Sequence, residues 1–421
     1  MSADSLAAAS RAVWGADVEP LLERLDGESA DLVARTETWS AINSGSFELP
    51  GLAAMRVVLL DAVSELPAEP EVVDLASSQR VRPDGEVVDV QHGASIRVRV
   101  RPDAPLQVAL TGHYDTVFPA SHHFQTPWRD GDMLRGPGVA DMKGGVAVML
   151  AALTAFEALP GEKRVGYEVL LSPDEEIGSM GSAPLLAELG ARAHLGMTYE
   201  PALADGSLVD ARKGSANFHL ALKGRAAHVG RAFNDGRSAV LAAAEAALAL
   251  NHLNGQRDGV TFNVGAIDGG GAVNVVPERA VLRFNVRVPD AGSAAWAEAE
   301  VRRIARETDQ RDGIEGRLHG GFTRPPKPLN DQQRTMVAWT RQAGAALGLD
   351  LKFQPSGGVC EGNNLAAAGC PNIDTLGPCG GGLHSDQEFA FISSFAERAK
   401  LSFLLLAGLN RGVFDVRSLR S

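Results

Sequence analysis

The segment MKGGVAVMLAALTAFEAL (Met142–Leu159), joined through PGEKR to VGYEVLLS (Val165–Ser172), decides how the chain folds. The first part is apolar on most of its faces at helical spacing, so it reads as a buried helix. The second is a short, nearly unbroken apolar run and reads as a strand. Upstream, SIRVRVR (Ser95–Arg101) and LQVALT (Leu106–Thr111) are strand-like. Downstream, SAPLLAEL (Ser182–Leu189) is helical and LGMTY (Leu195–Tyr199) a short strand. Strands separated by helices imply a sheet that is at least partly parallel, with helices on its faces. Sheets of that kind gather ligands at the carboxyl ends of their strands.

From about Arg212 the pattern changes. NFHLALKG reads as a strand, Arg237–Leu253 as a helix, GVTFNVGAI and RAVLRFNVRV as two strands, Ala294–Thr308 as a helix and IEGRLHG as a last strand. That order, βαββαβ, is ferredoxin-like and can stand as its own unit. Pro325, Pro326 and Pro328 then punctuate the chain before a helix–loop–strand pattern resumes. The expected architecture is therefore α/β. Residues 1–211 and 322–421 form a larger mixed-sheet domain with helices on both faces, and residues 212–321 form an inserted α+β domain.

Composition sets outer bounds. A chain of 421 residues is too long for one ordinary core and fits two or three domains. Its 40 Lys and Arg against 52 Asp and Glu leave a formal charge of −12, which argues against a nucleic-acid surface. Acids at Asp4 and Asp17 sit where a signal peptide would carry a basic start and an apolar block. The apolar stretch Gly145–Phe156 is too short for a membrane span, which needs about 20 residues. Cys360, Cys370 and Cys379 are odd in number and form no CxxC pair, so free thiols in a reducing cytoplasm are expected.

Acids and histidines recur where strands end. They occur in Leu110-Thr-Gly-His113-Tyr-Asp115, in the glycine-rich Arg135–Asp141 loop, in Ser172-Pro-Asp174-Glu175-Glu176, in Tyr199-Glu200-Pro201 and in Gly380–Asp386 with His384. Alone, an HxD pair or a DEE turn is most simply a solvated surface feature. Together at one sheet edge they are harder to dismiss, because clustered carboxylates repel one another unless cations compensate. Histidine with carboxylates suits Zn²⁺, and one bridging carboxylate can hold two ions about 3.5–4 Å apart.

HYDTV, GPGVADMKGG, DEEIGS, YEP and GGGLHSDQEF, in this order along nearly the whole chain, resemble the M20 family of metallopeptidases. The resemblance implies two Zn²⁺ ions, replaceable by Co²⁺ or Mn²⁺, held by His113, Asp141, Glu176, Glu200 and His384, with Asp141 bridging. It makes Asp115 the residue that orients His113. It makes Glu175 the base that takes a proton from water at the metals; spacing alone does not divide Glu175 from Glu176, and only the family pattern does. GRAAHVGRAFNDGRSA resembles the segment of a lid and dimerisation domain, which gives His228 an oxyanion role in a homodimer partner's site. GGGAVNVVP and FNVRVPD supply Asn274 and Arg287 as grips on a substrate carboxylate, with Arg324 beside them.

The implied reaction is hydrolysis of the amide bond of a small N-acyl amino acid or peptide with a free carboxylate. WSAINSGS (Trp39–Ser46) and the GGGLHSDQEF segment resemble the G2-type glutamate carboxypeptidases more than the desuccinylases, so an acidic leaving group such as glutamate is expected. Deacylation of an N-acetyl or N-succinyl amino acid is the alternative. A metal-free binding protein has no need of Glu175, and a nucleotide or phosphate hydrolase is disfavoured by the missing GxxxxGK[ST]. The segment Gly357-Gly-Val359-Cys360-Glu361-Gly-Asn departs from the family's GGTSDAN-like pattern in a loop expected to touch substrate.

Overall fold

A computed structural model describes residues 12–419. Asp4, one of the two acids weighed against a signal segment, lies outside the described residues. Among these residues no helix is long and apolar enough to cross a membrane.

Of the strands before the inserted unit, those in the main sheet are β1 (Glu71–Val73), β2 (Ser95–Val100), β3 (Leu106–His113), β4 (Val165–Ser172) and β5 (Leu195–Thr198). The unit itself contributes β6 (Gly214–Lys223), β7 (Thr261–Gly269), β8 (Arg279–Val288) and β9 (Glu315–Arg324), and β10 (Asn372–Ile373) follows it. The helices used below are α1 (Lys143–Ala158), α2 (Ala183–Arg192), α3 (Ala239–Asn251), α4 (Ala291–Asp309) and α5 (Ser394–Arg411).

The main sheet has the order β1-β2-β4-β3-β5-β10. Its β4-β3-β5-β10 part is parallel, while β2 runs antiparallel to both of its neighbours, β4 and β1. Parallel strands need helical crossovers that cover both faces, and the side chains divide accordingly. Val108 and Leu110 of β3 enter the large core with α1, whereas Ala109 joins a small second core with Leu186 and Leu189 of α2. Every residue of β4 is buried. The chain opening α1 owes its glycines to close packing. A Cβ at Gly145 would stand 1.9 Å from the Tyr199 carbonyl oxygen, so only glycine lets the helix start against the strand end that carries Glu200.

The inserted unit forms an antiparallel sheet, β7-β8-β6-β9, backed by α3 and α4. Alternate residues of β6 face inward, so Phe218, Leu220 and Leu222 pack with Ala243, Leu250, Val301 and Ile304 in a core separate from the main one. Strand β9 runs three residues past the boundary expected at 321, because its pairing with β6 continues as far as Ser215↔Arg324. Arg324 is thereby a strand residue with a set direction. Where the chain enters and leaves the unit, Arg212 and Lys327 exchange backbone hydrogen bonds of 2.8 and 3.0 Å.

Candidate metal centre

The cluster is built from the carboxyl ends of parallel strands. His113 closes β3, the Asp174–Glu176 turn follows β4, and Glu200 follows β5. His113 is fully buried. Its Nε2 lies 3.1 Å from Asp141 Oδ1 and 3.8 Å from Glu200 Oε1, and its Nδ1 lies 3.3 Å from Asp115 Oδ1. His384 Nε2 approaches the other oxygen of Asp141 at 3.4 Å and Glu176 Oε2 at 3.1 Å. Asp141 therefore touches both histidines, one with each oxygen, which is the placement a bridging carboxylate needs. Donor atoms of His113, Glu175 and Glu200 lie within 4.8 Å of one another, as do those of His113, Asp141 and Glu176.

The loops that carry several of these side chains are held from behind. Asp115 accepts from the Glu175 and Glu176 amides at 3.1 and 3.2 Å and from the Ser46 hydroxyl at 2.7 Å, which pins the DEE turn to the end of β3. Glu388 accepts from the amides of Gly138, Ala140 and Asp141 at 3.0–3.1 Å and so shapes the Asp141 loop. His384 has a φ of +59°, a left-handed backbone that few side chains adopt without compensation, and it turns the imidazole back toward Asp141.

Charge in the cluster is unbalanced. Burial first, then the charge of Asp141, pushes Glu176 up to about 8 and pushes Glu200 well above the usual carboxylate range. Hydrogen bonds to Asp141 and Glu176 push His384 up to about 11. Burial opposes ionisation of Asp141, yet bonds from His113 and His384 outweigh it and hold the carboxyl low. Glu200 Oε1 is buried with no hydrogen-bond partner among the described residues. Two imidazoles, several crowded carboxylates and an orphaned carboxylate oxygen are the donor set that divalent cations satisfy, and these residues fit such ions.

The other expected site residues divide. Arg287, Asp141, Glu200 and His384 line one cavity of about 560 Å³. Arg287 donates to Asn285 Oδ1 at 3.0 Å and to the Gly357 carbonyl at 3.2 Å, and among the described residues no carboxylate pairs with it. Arg324, expected to hold a substrate carboxylate, is instead 2 % exposed and turned onto Glu175. It donates to Glu175 Oε1 at 2.6 Å and to the Glu175 carbonyl at 3.1 Å, with Asn364 on its other nitrogen at 2.7 Å. Its place on β9 opposite Ser215 aims it at the DEE turn, whereas the resemblance sets it beside Arg287 as a grip on substrate. His228 and Asn274 are exposed on the inserted unit and touch none of the cluster within this chain; His228 Nδ1 accepts from Gly230.

In the atypical loop, Val359 lines the cavity, while Cys360 caps the helix Glu361–Ala367 and Glu361 is buried against the Ser172 hydroxyl. Cys360, Cys370 and Cys379 are all buried. Two elements escape the sequence reading. Glu388 is visible only as one more acid after His384 in GLHSDQEF. The buried Asp374, bonded by Arg212 at 2.8 and 2.9 Å and by Lys327 at 2.7 Å, carries no local motif at all.

Comparisons with known proteins agree with this geometry. Carboxypeptidase G2 of Pseudomonas sp. (strain RS-16) is 28% identical over 402 residues, covering 93% of this chain and 92% of that protein. Succinyl-diaminopimelate desuccinylase of Bordetella pertussis is 30% identical over 387 residues, covering 83% and 98%. Among solved structures, an M20 family metallo-carboxypeptidase from Sulfolobus solfataricus superposes with a TM-score of 0.70 at 14% identity, covering 91% of this chain and 99% of its own, which speaks for the fold alone. The profile of peptidase family M20/M25/M40 matches residues 109–407, so the chain belongs to that family of metal-dependent hydrolases.

Proposed function

We propose that the protein is a two-metal amidohydrolase that cuts the amide bond of a small N-acyl amino acid or peptide bearing a free carboxylate, in the manner of a carboxypeptidase. The observation that carries this reading is Arg287, a cation with no acidic partner among the described residues, which shares one cavity with Asp141, Glu200 and His384. A guanidinium is suited to a carboxylate through its paired donors. His113, Asp141, Glu176, Glu200 and His384 would hold the metal ions, with zinc the best match to the donors and cobalt or manganese able to replace it, and such ions would supply Lewis-acid polarisation and acidify water. Asp115 keeps His113 oriented. The Glu175 carboxylate accepts the proton of the attacking water and returns it to the leaving nitrogen.

The inserted unit acts as a lid and as a homodimer contact. Leu241 and Leu248, exposed on one face of α3, and the open edge of β7 support a pairing surface. In that assembly Asn274 helps to position substrate, and His228 donates to the oxyanion in the partner's site. Three buried cysteines, odd in number, suit a reducing cytoplasm. A second reading, deacylation of an N-succinyl or N-acetyl amino acid, is favoured by the desuccinylase relative.

The deciding experiment is elemental analysis of purified protein together with turnover of N-acyl amino acids and their C-terminal amides. Two zinc-class ions per chain and turnover of the free acids only are expected. Activity retained after metal is stripped to trace levels would refute the proposal.

A further inference from the structure

Resting on the reading that a substrate carboxylate docks on Arg287, we infer that the amino acid released has an uncharged, apolar side chain and is not glutamate. The carboxylate and the side chain of an amino acid hang from one carbon. A substrate anchored on Arg287 therefore keeps its side chain inside the same cavity of about 560 Å³. The walls there include Leu203, Val209, Pro355, Val359 and Leu383. Arg287 donates at 3.2 Å to the carbonyl of Gly357, which lines the cavity together with Gly358 and Val359.

The cations of the cavity decide the matter. Two arginines line it, Arg212 and Arg287. Arg212 is already committed, with two bonds of 2.8 and 2.9 Å to the buried carboxylate of Asp374. Among the described lining residues only Arg287 lacks an acidic partner. Glutamate would bring two carboxylates to one free cation and leave the second desolvated against Val359 and Leu383, an unpaired charge that the site cannot satisfy. An aliphatic or aromatic side chain meets matching walls.

The test measures kcat/KM on the zinc-loaded full chain with acetyl and benzoyl derivatives of leucine, phenylalanine and glutamate, and with leucinamide as control. Leucine or phenylalanine should exceed glutamate by at least about tenfold, the least that one unmatched charged group costs. Val359→Lys, which adds a second cation at the wall, should shift the glutamate-to-leucine ratio upward by a similar factor. Glutamate equal to or better than leucine overturns the side-chain inference alone. So does a folded Val359→Lys protein whose ratio is unmoved. Leucinamide derivatives cut as well as the acids, or no member of the panel cut at all, would overturn the docking on Arg287 and this inference with it.

Discussion

Arg324 offers the sharpest test, because sequence resemblance and structure give it different tasks. Replacing it with alanine removes the hydrogen bonds of 2.6 and 3.1 Å that hold Glu175 in place. The pair is largely shielded, with side-chain exposures of 2 % and 10 %, so solvent screening discounts little of its strength. A charge-assisted bond of this kind contributes about 1.5–3 kcal/mol. At about 1.4 kcal/mol per decade, letting the base wander should lower kcat by roughly 10- to 150-fold. That is less than the loss of the base itself, which costs about 10²–10⁴-fold. KM should change by less than about threefold, since the carboxylate grip on Arg287 is untouched. Steady-state kinetics on a free-acid substrate, beside a thermal melt to confirm folding, separates the two roles. In the Glu175→Gln background, Arg324→Ala should add almost nothing, because both changes act through one group. A large rise in KM with kcat preserved would refute the reasoning and return Arg324 to the substrate.

Three further outcomes follow from the same geometry. Glu175→Gln should keep its metal and lose about 10²–10⁴-fold in kcat, while Glu176→Gln should weaken metal retention; elemental analysis of both proteins beside their kinetics decides, and swapped phenotypes would reverse the two roles. Mixing inactive Glu175→Gln protein with inactive His228→Ala protein should restore partial activity if His228 serves the partner's site, and no recovery despite proven subunit exchange would count against it. Burial opposes the charge on Asp374, yet Arg212 and Lys327 hold its carboxyl at about 2, below the unfolded value of about 4. Its contribution to stability is therefore present above about pH 4 and is lost as pH falls toward 2. Asp374→Asn should cost about 3–5 kcal/mol at neutral pH in urea unfolding and should flatten the acid limb of the stability curve, and an unchanged limb would exclude this role.

The meeting of His113, Glu176 and Glu200 was legible in the sequence because a parallel sheet brings its strand ends together, whereas Asp141 and His384 follow strands of another sheet and were placed only by the family resemblance. Strand β4 and strand β8 have the bounds that their apolar patterns predict, Val165–Ser172 and Arg279–Val288. Partner choice was not legible. Arg287 and Arg324 sit in similar sequence surroundings, and only the register of β9 against β6 aims Arg324 at Glu175. The supports were hidden for a related reason. Glu388 acts through backbone amides 247–250 residues away, and Asp374 joins side chains from both ends of the inserted unit. Long-range pairing of this sort leaves no periodic trace along the chain.

The inserted unit is entered and left through one doorway. Arg212 and Lys327 exchange backbone hydrogen bonds there, and both side chains end on Asp374. An element whose two ends meet can be lifted out and rejoined with a short turn, much as a circularly permuted or spliced protein is made. The unit also has its own apolar core, distinct from that beneath the main sheet. The architecture is thus that of a host with a removable guest. Recombination at this threshold can exchange one guest for another, altering assembly and access to the centre while the ligand scaffold of the host is inherited intact.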